Sequence, residues 1–256
     1  MRAVDDLLRA TARAEARHFW FRGFRWFVTP LVRRALVHRS QALILDCGCG
    51  TGANLDLLAK YGTAYGFDLS PLGLYTARQF GRRRLARASV AAAPFASGAF
   101  DLVTSFDVLY SLPDADETAA LAEMFRLTRP GGYVLVNVAA MDMLRGNHSI
   151  LSREVRRYTR AGLASRLTAA GFTVERITYT NLLLFFPLLA RRTLERRRGL
   201  ADEPSATATE LAVPPAPING AMSAALFLES LWVRWFASPF GSSLLCLARK
   251  PESPNV

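Results

Sequence analysis

Residues 42–54 read ALILDCGCGTGAN, and few backbone arrangements satisfy that order. Ala42-Leu43-Ile44-Leu45 is a continuous apolar run, the pattern of a parallel strand buried on both faces. Asp46 follows, then three alternating glycines, Gly48, Gly50 and Gly52, then the helix-like run ANLDLLAKYG. A strand, a glycine-rich turn and a helix N-terminus form a cradle for a nucleotide-like cofactor, because glycine lets backbone approach a ligand where a Cβ would clash. A dinucleotide turn wants G-x-G-x-x-G/A, and Gly48-Cys49-Gly50-Thr51-Gly52-Ala53 can be forced into it. The acid two residues before the first glycine, and the third glycine at alternating spacing, depart from that pattern.

The form D-x-G-x-G-x-G over Asp46–Gly52 resembles the first motif of class I S-adenosylmethionine (SAM)-dependent methyltransferases. SAM has no pyrophosphate to be repelled by an acid, and its ammonium and sulfonium are cations. The chain continues in the family's order. Ala64-Tyr65-Gly66-Phe67 reads as a second strand ending in Asp68, 20 positions after Gly48, where open α/β nucleotide folds place the carboxylate that takes the ribose hydroxyls. Ser70-Pro71 is an N-cap and first-turn proline, and Gly81 closes that helix. The stretch ASVAAAPFASGAFDLVTSFDVLYSL resembles the third and fourth strands. Asp114 or Asp116 can cap ETAALAEMFRL, and RPGGYVLVNVAA resembles the turn and fifth strand. Thr159 and Gly171 bracket a last helix before the sixth strand, and Ser242–Arg249 is the seventh.

The resemblance covers roughly residues 18–180 and 239–250. It implies a Rossmann-like, doubly wound α/β sheet of seven strands in the order 3-2-1-4-5-7-6, with strand 7 antiparallel. Residues 1–40 then form an N-terminal helical segment covering the cofactor, and 41–180 with 239–250 form the SAM-binding core. Residues 181–238 are an insertion whose Ala/Pro/Ser/Thr-rich middle, about 200–218, reads as a mobile loop. The insertion is too apolar to be solvated all round, so it caps the site, forms a subunit interface such as a homodimer, or lies on a membrane through 181–198.

The resemblance also assigns residues. Gly48, Cys49, Gly50 and Gly52 give backbone approach, Asp46 orients the turn and faces the methionine end, Asp68 binds ribose and Leu69 packs on adenine. Phe106 and Asp107 meet the methionine moiety, and Arg22 or Arg25 pairs with its carboxylate. Where relatives carry an acid for the adenine amino group, this loop reads ASVAAAPF, which leaves Ala91 and Ala92 backbone groups for that task. Where relatives have Glu-His after Val-Leu, Tyr110-Ser111 stand here. His148, in the loop after strand 5, is then the candidate base, with Tyr158 lining the pocket.

Bulk properties narrow the setting. Net charge is +11, carried by arginine, without the aromatic-basic interleaving of an RNA-binding appendage, so no nucleic-acid partner is expected. Cys47, Cys49 and Cys246 have no metal or disulfide spacing, and no metal site is expected. The charged N-terminus lacks the apolar core of a signal peptide, and no run reaches the roughly 18 apolar residues of a membrane span. The expectation is a cytoplasmic enzyme, peripheral at the membrane's inner face if 181–198 touches lipid, that methylates O, N or C of a small, hydrophobic or lipid-like acceptor. The alternatives are a methyltransferase fold that binds SAM without methyl transfer and a nicotinamide-dependent oxidoreductase.

Overall fold

The computed structural model describes residues 2–200 and 212–252. The chain runs α1 (Arg2–Ala14), α2 (Phe19–Leu36), β1 (Ala42–Cys47), α3 (Ala53–Leu58), β2 (Gly62–Asp68), α4 (Pro71–Gln79), β3 (Leu85–Arg87) and β4 (Phe100–Phe106). It continues through α5 (Asp114–Leu127), β5 (Thr128–Ala139), α6 (Asn147–Leu151), α7 (Arg160–Ala169), β6 (Thr173–Thr180), α8 (Phe185–Arg198), α9 (Ala216–Val233) and β7 (Ser243–Arg249). The sheet order is β3-β2-β1-β4-β5-β7-β6, and β7 runs antiparallel to both neighbours. Class and strand order are as expected.

The apolar runs explain the interior. Ile44 and Leu45 of β1, Leu102 and Val103 of β4, and Leu245 and Leu247 of β7 are buried, because helices cover both faces. Local chemistry sets the helix ends. Ser70 Oγ accepts from Gly73 N–H at 3.1 Å and Thr159 Oγ1 from Gly162 N–H at 3.1 Å. Gly81 and Gly171 follow their helices at φ +81° and +100°, as left-handed closing residues do.

Four expectations shift. The third strand is Leu85–Arg87, earlier than ASVAAAPF, because a three-residue edge strand carries too little apolar pattern to be seen. Pro113 is the N-cap of α5, so Asp114 and Asp116 lie inside its first turn, where their charge complements the helix dipole. On α2, where helical spacing places Phe21, Phe24 and Val28 on one side, the buried stripe is Phe27, Val28, Leu31 and Val32, while Phe21 and Phe24 are only half-buried. Of the loop expected over about 200–218, residues 201–211 lie outside the described residues, and 216–218 already belong to α9.

α9 packs along α2. A Cβ on Gly23 would lie 2.4 Å from Leu226 Cδ1, so glycine sets how closely the two helices approach. The Trp26 and Phe227 rings meet edge to face at 5.3 Å. Asn219, in the first turn of α9, accepts from Phe19 N–H and donates to Arg17 C=O, each at 2.9 Å, bridging the insertion to the start of α2.

Candidate cofactor and acceptor site

Between the C-terminal edge of β1, β4 and β5 and the helices α1, α2 and α8 lies a cavity of about 590 Å³. Ligands in open α/β sheets bind at that edge. One wall is the glycine turn, Gly48 to Thr51. Gly48, Gly50 and Gly52 all have positive φ, +78°, +52° and +76°. A Cβ on Gly48 would strike Val108 at 2.5 Å, whereas one on Gly50 would meet nothing nearer than Leu8 at 3.5 Å. Gly50 is therefore the point where backbone is bare toward a ligand.

Asp68, at the end of β2, holds the turn from outside the cavity. Its Oδ2 accepts from Gly50 N–H at 2.7 Å and its Oδ1 from Ser70 N–H at 2.8 Å. An ionised carboxylate has about four lone-pair sites, so capacity for hydroxyl donors remains. Leu69 beside it is exposed. Asp46 is buried beneath the turn, where Thr104 donates to its Oδ1 at 2.6 Å and Oδ2 has no hydrogen-bond partner among the described residues. Burial, with a smaller push from the charge of Asp68, raises its carboxyl to about 7 against the Thr104 bond.

The floor is the loop after β4. Phe106 meets Phe24 edge to face at 5.0 Å. Asp107 has φ +61° and is fixed by Asn137, whose Nδ2 donates to Oδ1 at 2.9 Å and whose C=O takes the Asp107 N–H at 3.0 Å. Burial raises the Asp107 carboxyl to about 7, and the charge of Glu154 adds to this. Asp107 is nevertheless exposed, which softens that push. Tyr110, also on the wall, is pushed well above the usual phenol range by burial. His148, on α6, lines the same cavity.

The expected residues thus divide. Gly48, Cys49, Gly50, Phe106, Asp107, Arg25 and His148 share one cavity. Asp46, Gly52 and Asp68 support its turn. Arg22 and Arg25 separate: Arg25 donates to Glu15 C=O at 2.9 Å in the wall, while Arg22 lies exposed over the Trp26 ring. Ala91 and Ala92 N–H groups are already spent on Ser89, on its Oγ at 3.2 Å and its C=O at 3.1 Å. Tyr158 does not line the cavity. Its hydroxyl donates to Glu117 Oε1 at 2.6 Å, and Arg156 and Arg166 each meet Glu117 Oε2 at 2.7 Å in that buried network. Burial raises the Tyr158 phenol further, so a pocket role gives way to a structural one.

Glu15 was not legible. It is buried, takes the Thr51 hydroxyl on Oε2 at 2.8 Å, and burial raises its carboxyl. It sits in TARAEARH, among charged residues with nothing to single it out.

The set fits SAM: bare backbone at Gly50, a carboxylate with spare acceptors at Asp68, and Glu15 and Arg25 as opposite charges beside the turn. Residues 45–136 match the methyltransferase domain family. A probable S-adenosylmethionine-dependent methyltransferase of Mycolicibacterium smegmatis is 29% identical over 163 residues, 62% of this chain and 61% of that one. A malonyl-[acyl-carrier protein] O-methyltransferase of Serratia marcescens is 35% identical over 107 residues, 40% of each. The matched stretches therefore span less than two thirds of these relatives. Among solved structures, the [4+2]-cyclase SpnF superposes with a TM-score of 0.56 at 21% identity, over 88% of this chain and 80% of that one, a likeness of fold.

Proposed function

We propose that this chain, whose residues 45–136 match the methyltransferase domain family, is a class I SAM-dependent methyltransferase that takes SAM as its cofactor and methylates a small, hydrophobic or lipid-like acceptor. One observation carries the proposal. The glycine turn and an aromatic wall of Phe19, Trp20, Phe21 and Phe24 face one cavity, with Asp107, Tyr110 and His148 as its polar floor.

Bound SAM supplies a methyl group on a cationic sulfur. The chain's own residues do the rest. Gly50 presents bare backbone, and Asp68 would accept the ribose hydroxyls. Glu15 would hold the amino end and Arg25 the carboxylate end. Leu69 and the Ser89–Ala92 turn would pack on the adenine end. The aromatic wall excludes water and orients an apolar acceptor, which supplies proximity, the main requirement of an in-line transfer. His148 takes a proton from the acceptor where the nucleophile carries one. Asp107, held by Asn137, bonds the acceptor's polar group. Three buried, unpaired thiols suit a reducing cytosol.

Isothermal titration with SAM, followed by methyl transfer from labelled SAM into fractionated cell extract, tests this. Binding with label in a lipophilic fraction is the expected result. No binding at millimolar SAM would sink the reading, and binding without any transfer would leave a SAM-dependent fold that does not methylate.

A further inference from the structure

We infer that the C-terminal end of α9 is a docking surface for an anionic bilayer. α9 is apolar on both sides. One stripe, Leu226, Glu229, Ser230 and Val233, is buried against the rest of the protein. The opposite side leaves Leu228 61%, Trp232 53%, Trp235 79% and Phe236 53% exposed. Trp232 and Phe236 stack, with centroids 4.4 Å apart, so the patch is an ordered aromatic shelf. Water is a poor neighbour for such a shelf, and an apolar helix face this wide is normally covered.

Charge decides what covers it. Arg234 is exposed within the shelf. Arg176 donates to the carbonyls of Val233 and Phe236, and Arg160 donates to Ser238 C=O at 2.8 Å, so two further cations sit at its base. The single acid of α9, Glu229, is buried and takes the N–H groups of Leu182 and Leu183 at 2.9 and 3.1 Å. The shelf therefore offers tryptophan, phenylalanine and arginine with no exposed carboxylate on its own helix. A second copy of the chain would bring Arg234 onto or near its own image across a two-fold, and the net charge of +11 adds to that repulsion. Acidic lipid head groups complement the arginines, while the indole and phenyl rings fit the boundary between head groups and acyl chains.

This moves the membrane contact away from residues 181–198. On α8, Arg192 is buried and pairs with Glu195 at 2.8 Å, and Arg196 donates to Met143 and Arg145 carbonyls at 2.9 and 2.7 Å. Arg196 thus binds α8 to the segment before α6.

The full chain is mixed with phosphatidylglycerol or phosphatidylcholine vesicles at low and high salt, and co-sedimentation and tryptophan emission are recorded. The wild type should bind the anionic vesicles, lose binding at high salt and show blue-shifted emission. The Trp235→Ser/Phe236→Ser double variant should bind about ten-fold more weakly or worse, and Arg234→Glu should weaken binding with the rings intact. Far-UV circular dichroism checks that both variants fold. No wild-type binding to anionic vesicles at low salt would overturn the inference, as would binding that the double variant retains in full. A wild-type dimer that the double variant converts to monomer would assign the shelf to a second copy instead.

Discussion

At the scale of single residues, the site's carboxylates differ by what surrounds them. Asp68 faces donors. Replacing it with Ala removes the acceptor that orders the Gly50 and Ser70 N–H groups and that would take the ribose hydroxyls. SAM affinity should fall by roughly 1.5–3 kcal/mol, read by titration calorimetry. Gly50→Val should abolish binding, because φ +52° strains a β-branched residue and its side chain would enter the bare face of the turn. His148→Ala should lower turnover by roughly 10²–10⁴ with SAM affinity near wild type, provided the acceptor must lose a proton. A change of only a few-fold would return His148 to an ordinary wall position. Asp46 behaves in the opposite way to Asp68. Its folded pKa, about 7, is raised above the usual carboxylate value, so the native state binds more protons than the unfolded state across that interval. Stability accordingly falls as pH climbs from about 4 to 7, by at most about 4 kcal/mol from this group. Asp46→Asn mimics the protonated form and should flatten the slope of thermal stability over that range. Asp107, shifted the same way, leaves a residue of it.

At the scale of elements, the close crossing of α2 and α9 is the most exposed to test. Gly23→Ala would ordinarily gain about 1 kcal/mol of helix propensity. Here Leu226, fully buried, has three side-chain atoms within 3.2 Å of the new Cβ, so crowding wins. Gly23→Val should destabilise by about 1–3 kcal/mol in urea unfolding. Elements that declare themselves by several signals at once could be read in advance. β1 with its glycine turn, the Ser70 and Thr159 caps, and β7 each combine apolar runs with a local stop signal. β3 could not be read, since three residues ending in Arg87 look like surface. Of the site, the turn and the sheet edge were legible because their chemistry is local. Glu15, the inward turn of Arg25 and the outward turn of Arg22 were not, because they depend on how α1 and α2 lie across a sheet that begins after them. The Tyr158 bond is hidden from the sequence for the same reason: its partner Glu117 is 41 residues away.

At the scale of the whole molecule, the three thiols report on the integrity of the core. Cys47, Cys49 and Cys246 are buried, and burial raises each, Cys246 to about 12. The native chain should resist a thiol reagent at neutral pH and react at all three positions once unfolded in guanidinium. Rapid labelling of the native state would contradict the packing described. The antiparallel seventh strand has another consequence. β7 lies between β5 and β6, yet it is the last of the seven strands in sequence. During synthesis β6 leaves the ribosome with no neighbour to pair with, followed by the apolar faces of α8 and α9. Until Arg249 emerges, the nascent chain carries an open sheet edge beside unburied aromatics, the hazard that chaperones manage. A ribosome stalled anywhere between Thr180 and Ser243 would therefore hold a half-closed sheet that is prone to aggregate.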